Sequence, residues 1–445
     1  MKRYDSYKDS GVEWMNKIPS NWEKSRIRMV GDLYGGLTGK KGSDFNDEDN
    51  SSNKPFVPFT NIFNNTYISK DHFQYVNVEE NENQNRVLKN DLFFLMSSES
   101  YEDLGKCSIL LEDVEELYLN SFCKGFRIKD SKVYPLFLNY QLLGSLHKEM
   151  ISIEGNGFTR INLRQDRLLD IPVFIPPLSE QQQIVSFLDT KTSLIDSLIE
   201  KTQRKIELLK EKRTSLINEV VTKGLNSNVE MKDSGVEWIG DIPSHWKVSR
   251  IKFYLNGIID TEHKTVPFHD DGKYYVIRTP NIRNGKLQLK DCKMTNEDGF
   301  REWTVRGVPE PNDVLLTREG PVGESCVIPN DISFCMGQRV VWLKLKKEKI
   351  NPYYLVNTIY SVSSKIFMDN ISLGSTLSHL NMSEIGNIPI LYCPFYEQQQ
   401  IVEYLDEQTQ LIDKTISIEE KRIELLKEYR QSLISEVVTG KRKVV

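Results

Sequence analysis

No stretch of this 445-residue chain approaches the roughly 18–20 consecutive apolar residues needed to cross a bilayer, so no membrane contact is expected. The opening, Met1-Lys2-Arg3-Tyr4-Asp5, continues polar, so no apolar leader is expected either, and the expected location is the cytoplasm. Cysteine is scarce. Cys107, Cys123, Cys292, Cys326, Cys335 and Cys393 lie apart, with no Cys-x-x-Cys pair and no zinc spacing. In so long a chain that pattern reads as reduced thiols and excludes a disulfide framework or a zinc knuckle. The six histidines (His72, His147, His245, His263, His269, His379) form no pair one helical turn apart, which leaves no metal site to propose.

Catalytic signatures are missing too. Gly155-Asn156-Gly157 lacks the third glycine and the strand–helix context of a dinucleotide or S-adenosylmethionine loop, and Gly39-Lys40-Lys41 lacks the Ser/Thr and spacing of a P-loop. Asn351-Pro352-Tyr353-Tyr354 lacks the second proline of the Asn-Pro-Pro-Tyr signature of adenine methyltransferases, and a helix start accounts for it better. The expectation is a chain with no catalytic residue, cofactor or metal of its own.

A basic total is the last absence. Net charge is −5; residues 28–176 hold 16 Lys+Arg against 22 Asp+Glu, and residues 248–393 hold 18 against 16. A nucleic-acid binder needs a basic face rather than a basic sum, so the balance neither excludes nor supports one.

What the chain has is internal repetition, the first feature to seek in a long sequence. Lys8-Asp9-Ser10-Gly11-Val12-Glu13-Trp14 recurs unchanged as Lys232-Asp233-Ser234-Gly235-Val236-Glu237-Trp238. Ile18-Pro19-Ser20, Trp22 and Ser25-Arg26-Ile27 recur as Ile242-Pro243-Ser244, Trp246 and Ser249-Arg250-Ile251. Residues 8–27 thus match 232–251 at 14 of 20 positions. A second repeat closes each half: Glu180-Gln181-Gln182-Gln183-Ile184-Val185 returns at 397–402 and Ile206-Glu207-Leu208-Leu209-Lys210-Glu211 at 423–428. Between them, the two middles diverge.

Residues 180–222 contain neither proline nor glycine and are flanked by Pro176-Pro177 and Gly224, the punctuation of a single helix about 65 Å long. With Val185 at heptad position a, the apolar seam runs through Val185, Leu188, Ile195, Ile199, Ile206, Leu209 and Leu216. In the second copy it runs through Val402, Leu405, Ile412, Ile416, Ile423, Leu426 and Leu433. Arg213 and Arg430 occupy equivalent a positions. A sustained a/d pattern of this kind predicts a coiled coil, and the domain lying between the helices lets the second return antiparallel, with the arginines fixing register or meeting acidic partners. An amphipathic helix packed only on its own domain is the plainer alternative.

The middles alternate short apolar runs with turn residues, as mixed α+β domains do. Leu92-Phe93-Phe94-Leu95-Met96 and Val314-Leu315-Leu316-Thr317 predict buried strands after Asn90-Asp91 and Asn312-Asp313 turns. Tyr134-Pro135 and Asn351-Pro352 open helices, Gly157-Phe158-Thr159 answers Gly374-Ser375-Thr376, and Ile171-Pro172 and Ile388-Pro389 begin strands. The two middles read as one fold with replaced surface residues. The expected class is α+β: two mixed α/β domains separated by a long antiparallel two-helix coiled coil, with pseudo-twofold duplication. The boundaries are 1–176 with its segment 8–27, helix 177–226, 227–393 with its segment 232–251, and helix 394–445.

The duplicated pattern of a Lys-Asp-Ser-Gly-Val-Glu-Trp start, Ile-Pro and Trp, a variable domain and a Glu-Gln-Gln-Gln-Ile helix opening resembles the Type I restriction–modification specificity subunit family over essentially the whole chain. The resemblance implies two target-recognition domains, each reading one half of a split site in double-stranded DNA. It also implies two methyltransferase (M) subunits on the helical spacer, restriction (R) subunits joining that core, and S-adenosylmethionine, ATP and Mg used by those partners. Side chains of Arg, Lys, Asn and Thr suit base and phosphate contacts. The candidate readers are Thr60, Asn61, Lys106 and Arg160 in the first domain and Arg278, Asn281, Arg318 and Arg339 in the second, each weighed against a solvated side chain or turn former. Trp14, Trp22, Trp238 and Trp246, lying in shared segments, are expected to pack the junction with the helices. A free-standing enzyme would carry one catalytic domain rather than two divergent copies. A coiled-coil scaffold with no DNA role is the other alternative.

Overall fold

The computed structural model describes residues 3–45, 53–262, 264–372 and 379–444. Residues 46–49, which hold three of the acidic side chains of the first middle, and the Gly374-Ser375-Thr376 counterpart lie outside the described residues. Two compact units emerge, and neither follows the sequence order of the domains. One comprises Met1–Thr202 with Lys421–Val445, the other Gln203–Glu420. Both long helices, Leu178–Lys223 and Phe395–Val438, are therefore divided between the units.

The two units share the topology of their two main sheets. The first holds an antiparallel four-stranded sheet in the order Gly31–Gly35, Cys123–Ile128, Leu92–Leu95, Cys107–Ile109. The second repeats it as Leu255–Ile259, Val340–Leu345, Val314–Thr317, Ser325–Val327. Beside it lies a three-stranded sheet whose central strand (Asn53–Val57; Tyr274–Ile277) has one parallel and one antiparallel neighbour. The predicted strands at 92–95 and 314–317 are buried on both faces, which is why they read as unbroken apolar runs. The asparagine before each takes the left-handed conformation (φ 70° at Asn90, 62° at Asn312). The aspartate that follows is buried and satisfied: Asp91 accepts from Tyr34 and Arg127, and Asp313 from the Trp342 indole and the Leu345 amide.

The repeated segments build the junction in each unit. In Asp9-Ser10-Gly11 the aspartate accepts from the Gly11 amide and Ser10 Oγ from the Val12 amide, with Gly11 left-handed; Asp233-Ser234-Gly235 does the same. Those turns close hairpins (Tyr7–Asp9 with Lys17–Pro19; Met231–Asp233 with Asp241–Pro243). The following segments, Glu23–Arg26 and Lys247–Arg250, pair with the Ile-Pro strands that lead into the long helices.

At the helix entry the repeated glutamate accepts from a fully buried indole: Trp22 Nε1 to Glu180 at 3.0 Å, Trp246 Nε1 to Glu397 at 2.9 Å. The next glutamine is also fully buried. Gln181 accepts from the Tyr134 amide and donates to the Lys132 and Pro176 carbonyls; Gln398 accepts from the Asn351 amide and donates to the Lys349 and Cys393 carbonyls. One side chain thus satisfies backbone groups of two segments, and the Glu-Gln repeat is a structural staple. Trp14 and Trp238, by contrast, are 52% and 44% exposed. Only Trp22 and Trp246 pack the junction, because the turn that buries Met15 leaves Trp14 outside.

The helices run antiparallel within each unit. In the first, Asp196 meets Arg430 at 2.9 Å, and Ile184, Val185 and Leu188 pack with Leu433, Ile434 and Val437. In the second, Arg213 meets Asp413 at 3.1 Å, Lys205 meets Glu419 at 2.5 Å, and Ile217 and Val220 share a core with Ile401 and Leu405. The two seam arginines are thus equivalent and so are their aspartates, which makes one ion pair built twice. None of the fourteen predicted seam residues is exposed. Near the helix ends the buried stripe widens to Ile184, Ile217, Val221 and Ile434, outside a/d, where the helices also pack on the globular parts. There the helices pack both on each other and on the globular parts.

Among the described residues all six cysteines are free. Burial pushes the Cys123, Cys326, Cys335 and Cys393 thiols up to about 12, so they stay protonated. His147 is fully buried beside Phe174, its Nε2 3.0 Å from the Pro172 carbonyl, and desolvation lowers its pKa to about 4. The unfolded chain binds this proton near pH 6.5 and the folded one only near 4, so stability is complete above about pH 6.5 and falls as pH drops toward 4. The loss is roughly 3 kcal/mol when complete. Urea titrations between pH 7 and 4.5 are expected to show this slope in the wild type and a shallower one in His147→Gln.

Candidate nucleic-acid interface

Equivalent loops in each unit enclose a cleft. In the first unit the short helix Phe59–Asn64 after Asn53–Val57 brings Phe59, Thr60 and Phe63, and the segment after Leu92–Leu95 brings Ser97 to Ser100. Phe122 closes a third side and Thr159-Arg160 a fourth; the cavity is about 660 Å³. In the second unit Arg278, Thr279 and Pro280 follow Tyr274–Ile277, Gly320 follows Val314–Thr317, and Gly337 to Arg339 follow Phe334–Met336. With Lys264 to Val266 and Phe268 they line about 320 Å³. Segments at corresponding strand ends thus carry different chemistry: aromatic and hydroxyl groups, the Glu99 and Asp103 carboxylates and one arginine in the first unit, two arginines, a lysine and a glutamine in the second.

Five of the eight candidate readers belong to these clefts. Thr60 and Arg160 line the first, and Lys106 borders it with its ammonium 4.2 Å from the centre of the Phe63 ring and 3.6 Å from Asp103. Arg278 and Arg339 line the second, Arg339 lying 3.3 Å from Glu319. Three candidates face inward instead. Asn61 is buried, donates to the Ser69 carbonyl and accepts from the Ser69 amide. Asn281 is buried likewise, accepting from the Arg278 amide and donating to the Gln288 carbonyl. Both are loop pins, doing the same work in each half. Arg318, 7% exposed, is held by Asp260 at 2.9 Å. A buried guanidinium needs its charge compensated, and the aspartate that does so lies 58 positions away, out of reach of local sequence reasoning.

Sequence reasoning missed Phe59, Phe63, Phe122, Phe268 and Gln338. The aromatics stand beside cations, Arg160 over Phe122 at 5.6 Å and Arg278 over Phe268 at 5.5 Å. A phenylalanine among polar residues is the signal that could have found the aromatics. Charge explains the acidic first half: its cations are largely neutralised internally, in the pairs Lys40–Glu82, Lys54–Glu116, Arg86–Glu116, Lys70–Glu112 and Lys129–Asp32. Among the described residues no group of three or more His, Cys, Asp or Glu side chains is placed to hold a metal, and no helix is long and apolar enough to cross a membrane.

Comparison with known proteins agrees with this architecture. The family described as the Type I restriction modification DNA specificity domain matches residues 19–208 and 243–428, once in each half. Among curated proteins, the putative type I restriction enzyme MjaX specificity subunit of Methanocaldococcus jannaschii is 23% identical over 97% of this chain and 96% of its own. The MjaVIII specificity subunit of the same organism is 25% identical over 98% and 97%. Among solved structures, a chain from work on complex assembly and conformational transition of the type I R-M system superposes with TM-score 0.70 at 15% identity, over 96% of this chain and 99% of that one. The HsdS subunit of Thermoanaerobacter tengcongensis superposes with TM-score 0.53 at 15% identity, over 96% and 98%. With both halves matched and the whole length covered, this chain belongs to the DNA specificity subunit family of Type I restriction–modification systems.

Proposed function

We propose that the chain reads a two-part site in double-stranded DNA, one part in each cleft, while two copies of one methyltransferase subunit dock on its repeated framework and restriction subunits join that core. One observation carries the reading: the topology is duplicated, yet the clefts differ residue by residue. A fold kept twice with its loops exchanged suits two targets of different sequence on one type of reader.

The repeated framework offers matching exposed apolar groups. Leu194 and Leu425 in the first unit correspond to Leu411 and Leu208 in the second; all four are exposed and occupy heptad position c, away from the seam. Trp14 and Trp238 are likewise exposed twice. Exposed apolar side chains mark interaction sites, and the same ones in both halves suit the same partner bound twice. The chain itself supplies no cofactor site under this reading, and S-adenosylmethionine, ATP and Mg belong to the partners.

The test is a genome-wide map of methylated adenines in cells with and without the chain. A two-part motif that disappears with it, and of which only one part changes when residues 28–176 are exchanged, is the expected result. An uninterrupted motif, or one that changes throughout on that exchange, contradicts the proposal.

A further inference from the structure

Most arginines of the variable middles are spoken for. In residues 248–393, Arg250 donates to Asn387, Arg283 and Arg306 to backbone carbonyls, and Arg301, Arg318 and Arg339 meet carboxylates. Among the described residues Arg278 alone there has a guanidinium that meets no acceptor, and its Nε is buried without one. It lies against Phe268 inside the second cleft, and its stem runs past Gly337, where a Cβ would come within 2.9 Å of Arg278 Cγ. In residues 28–176, Arg28, Arg86, Arg127, Arg164 and Arg167 pair with carboxylates. Arg160 does not. Its Nε and Nη2 both donate to Ser97 Oγ, at 3.2 and 3.0 Å, and its Cζ lies over the Phe122 ring, 5.6 Å from the ring centre, in the first cleft.

Each cleft therefore contains one guanidinium without a carboxylate partner, its Cζ 5.5–5.6 Å from the centre of a phenylalanine ring. For Arg160 the serine takes one edge and leaves Nη1 free. An arginine held this way has little side-chain freedom left to lose and presents a flat two-donor edge. A guanine in the major groove offers the complementary flat pair of acceptors, N7 and O6. A phosphate also accepts two hydrogen bonds, but against a phenylalanine wall it would give up hydration on one side, which favours the flat base edge.

We infer that Arg160 and Arg278 are the guanine-reading residues of the two clefts, one for each part of the DNA site. This rests on the proposed function and names the base that each cleft selects through its arginine.

The experiment uses the full chain assembled with its methyltransferase subunits and duplexes carrying the two-part motif, in which guanines are replaced one at a time by 7-deazaguanine, which lacks N7. One guanine in each part is expected to weaken wild-type binding by about 10-fold or more on this substitution. Arg278→Ala is expected to abolish that sensitivity in one part only, and Arg160→Ala in the other. Arg278→Lys and Arg160→Lys, which keep the charge without the fork, are expected to retain the salt dependence of binding but not the guanine preference. If 7-deazaguanine is tolerated throughout a part, or if each alanine variant weakens all duplexes equally and lowers the salt slope by about one, the arginines hold phosphates and the inference is overturned. A wild-type complex that does not prefer the two-part duplex over a scrambled one would instead overturn the proposed function.

Discussion

Alanine in place of Trp22 or Trp246 is expected to remove about 3–5 kcal/mol of stability from the unit that contains it. Both indoles are fully buried, and each also donates to the glutamate that opens a long helix. Each is packed by a helix-ending glycine in the left-handed conformation: a Cβ on Gly440 would lie 2.4 Å from Pro19 and 3.4 Å from the Trp22 ring, and one on Gly224 3.2 Å from the Trp246 ring. The loss thus combines a large cavity, a carboxylate acceptor deprived of its indole donor and a released helix end. Trp246→Phe keeps most of the volume and is expected to cost about 1–3 kcal/mol, the share of the hydrogen bond. Hydrogen exchange resolved by segment under increasing urea separates the two units. A loss below about 1 kcal/mol for either alanine variant would show that the junction does not depend on its indole.

Adding three heptads at equivalent points near the middle of both long helices is expected to abolish binding to the natural DNA site and to create binding to one with a longer gap. Twenty-one residues add about 31 Å of helix, close to the 34–36 Å of one duplex turn, so a second reader displaced by that amount meets the same face of the DNA. Affinity for the original site should fall to the non-specific level, roughly 1,000-fold or more, while a duplex whose gap is longer by about one turn is bound. Whole heptads keep the seam in phase and preserve the Arg213–Asp413 and Arg430–Asp196 pairs; the same insertion in one helix alone should lose stability. An unchanged gap preference in the doubly extended protein would refute a helix-set spacing.

The features legible in the sequence are those that repeat or that obey a short period. Fourteen seam positions follow from the heptad, and equivalence of the two middles follows from paired motifs such as Asn90-Asp91 and Asn312-Asp313, whose turns and buried aspartates the structure repeats. The direction in which polar side chains point was not legible. Asn61 and Asn281 have the composition of base readers, but each bonds a loop backbone seven or eight residues on. Arg318 has a charge suited to DNA, but Asp260 claims it through the tertiary fold. Where a candidate has no carboxylate partner, as with Arg160 and Arg278, an aromatic ring that local sequence does not point to lies beside it instead. The divided units escaped the sequence because a helix with one periodic stripe gives no sign of which portion joins which core.

That division has a consequence for synthesis. The core around Trp22 includes Leu433, Ile434, Val437 and Val438, so this core remains open until those residues, more than 400 positions after Trp22, have been made. At about 5–20 residues per second, the interval between the first long helix and its antiparallel mate lasts on the order of ten seconds to a minute. The nascent chain meanwhile displays Ile184, Val185 and Leu188 uncovered, and a truncated product would display them indefinitely. Only when residues 421–445 follow does the unit begun at the Trp22 hairpin gain its closing helix.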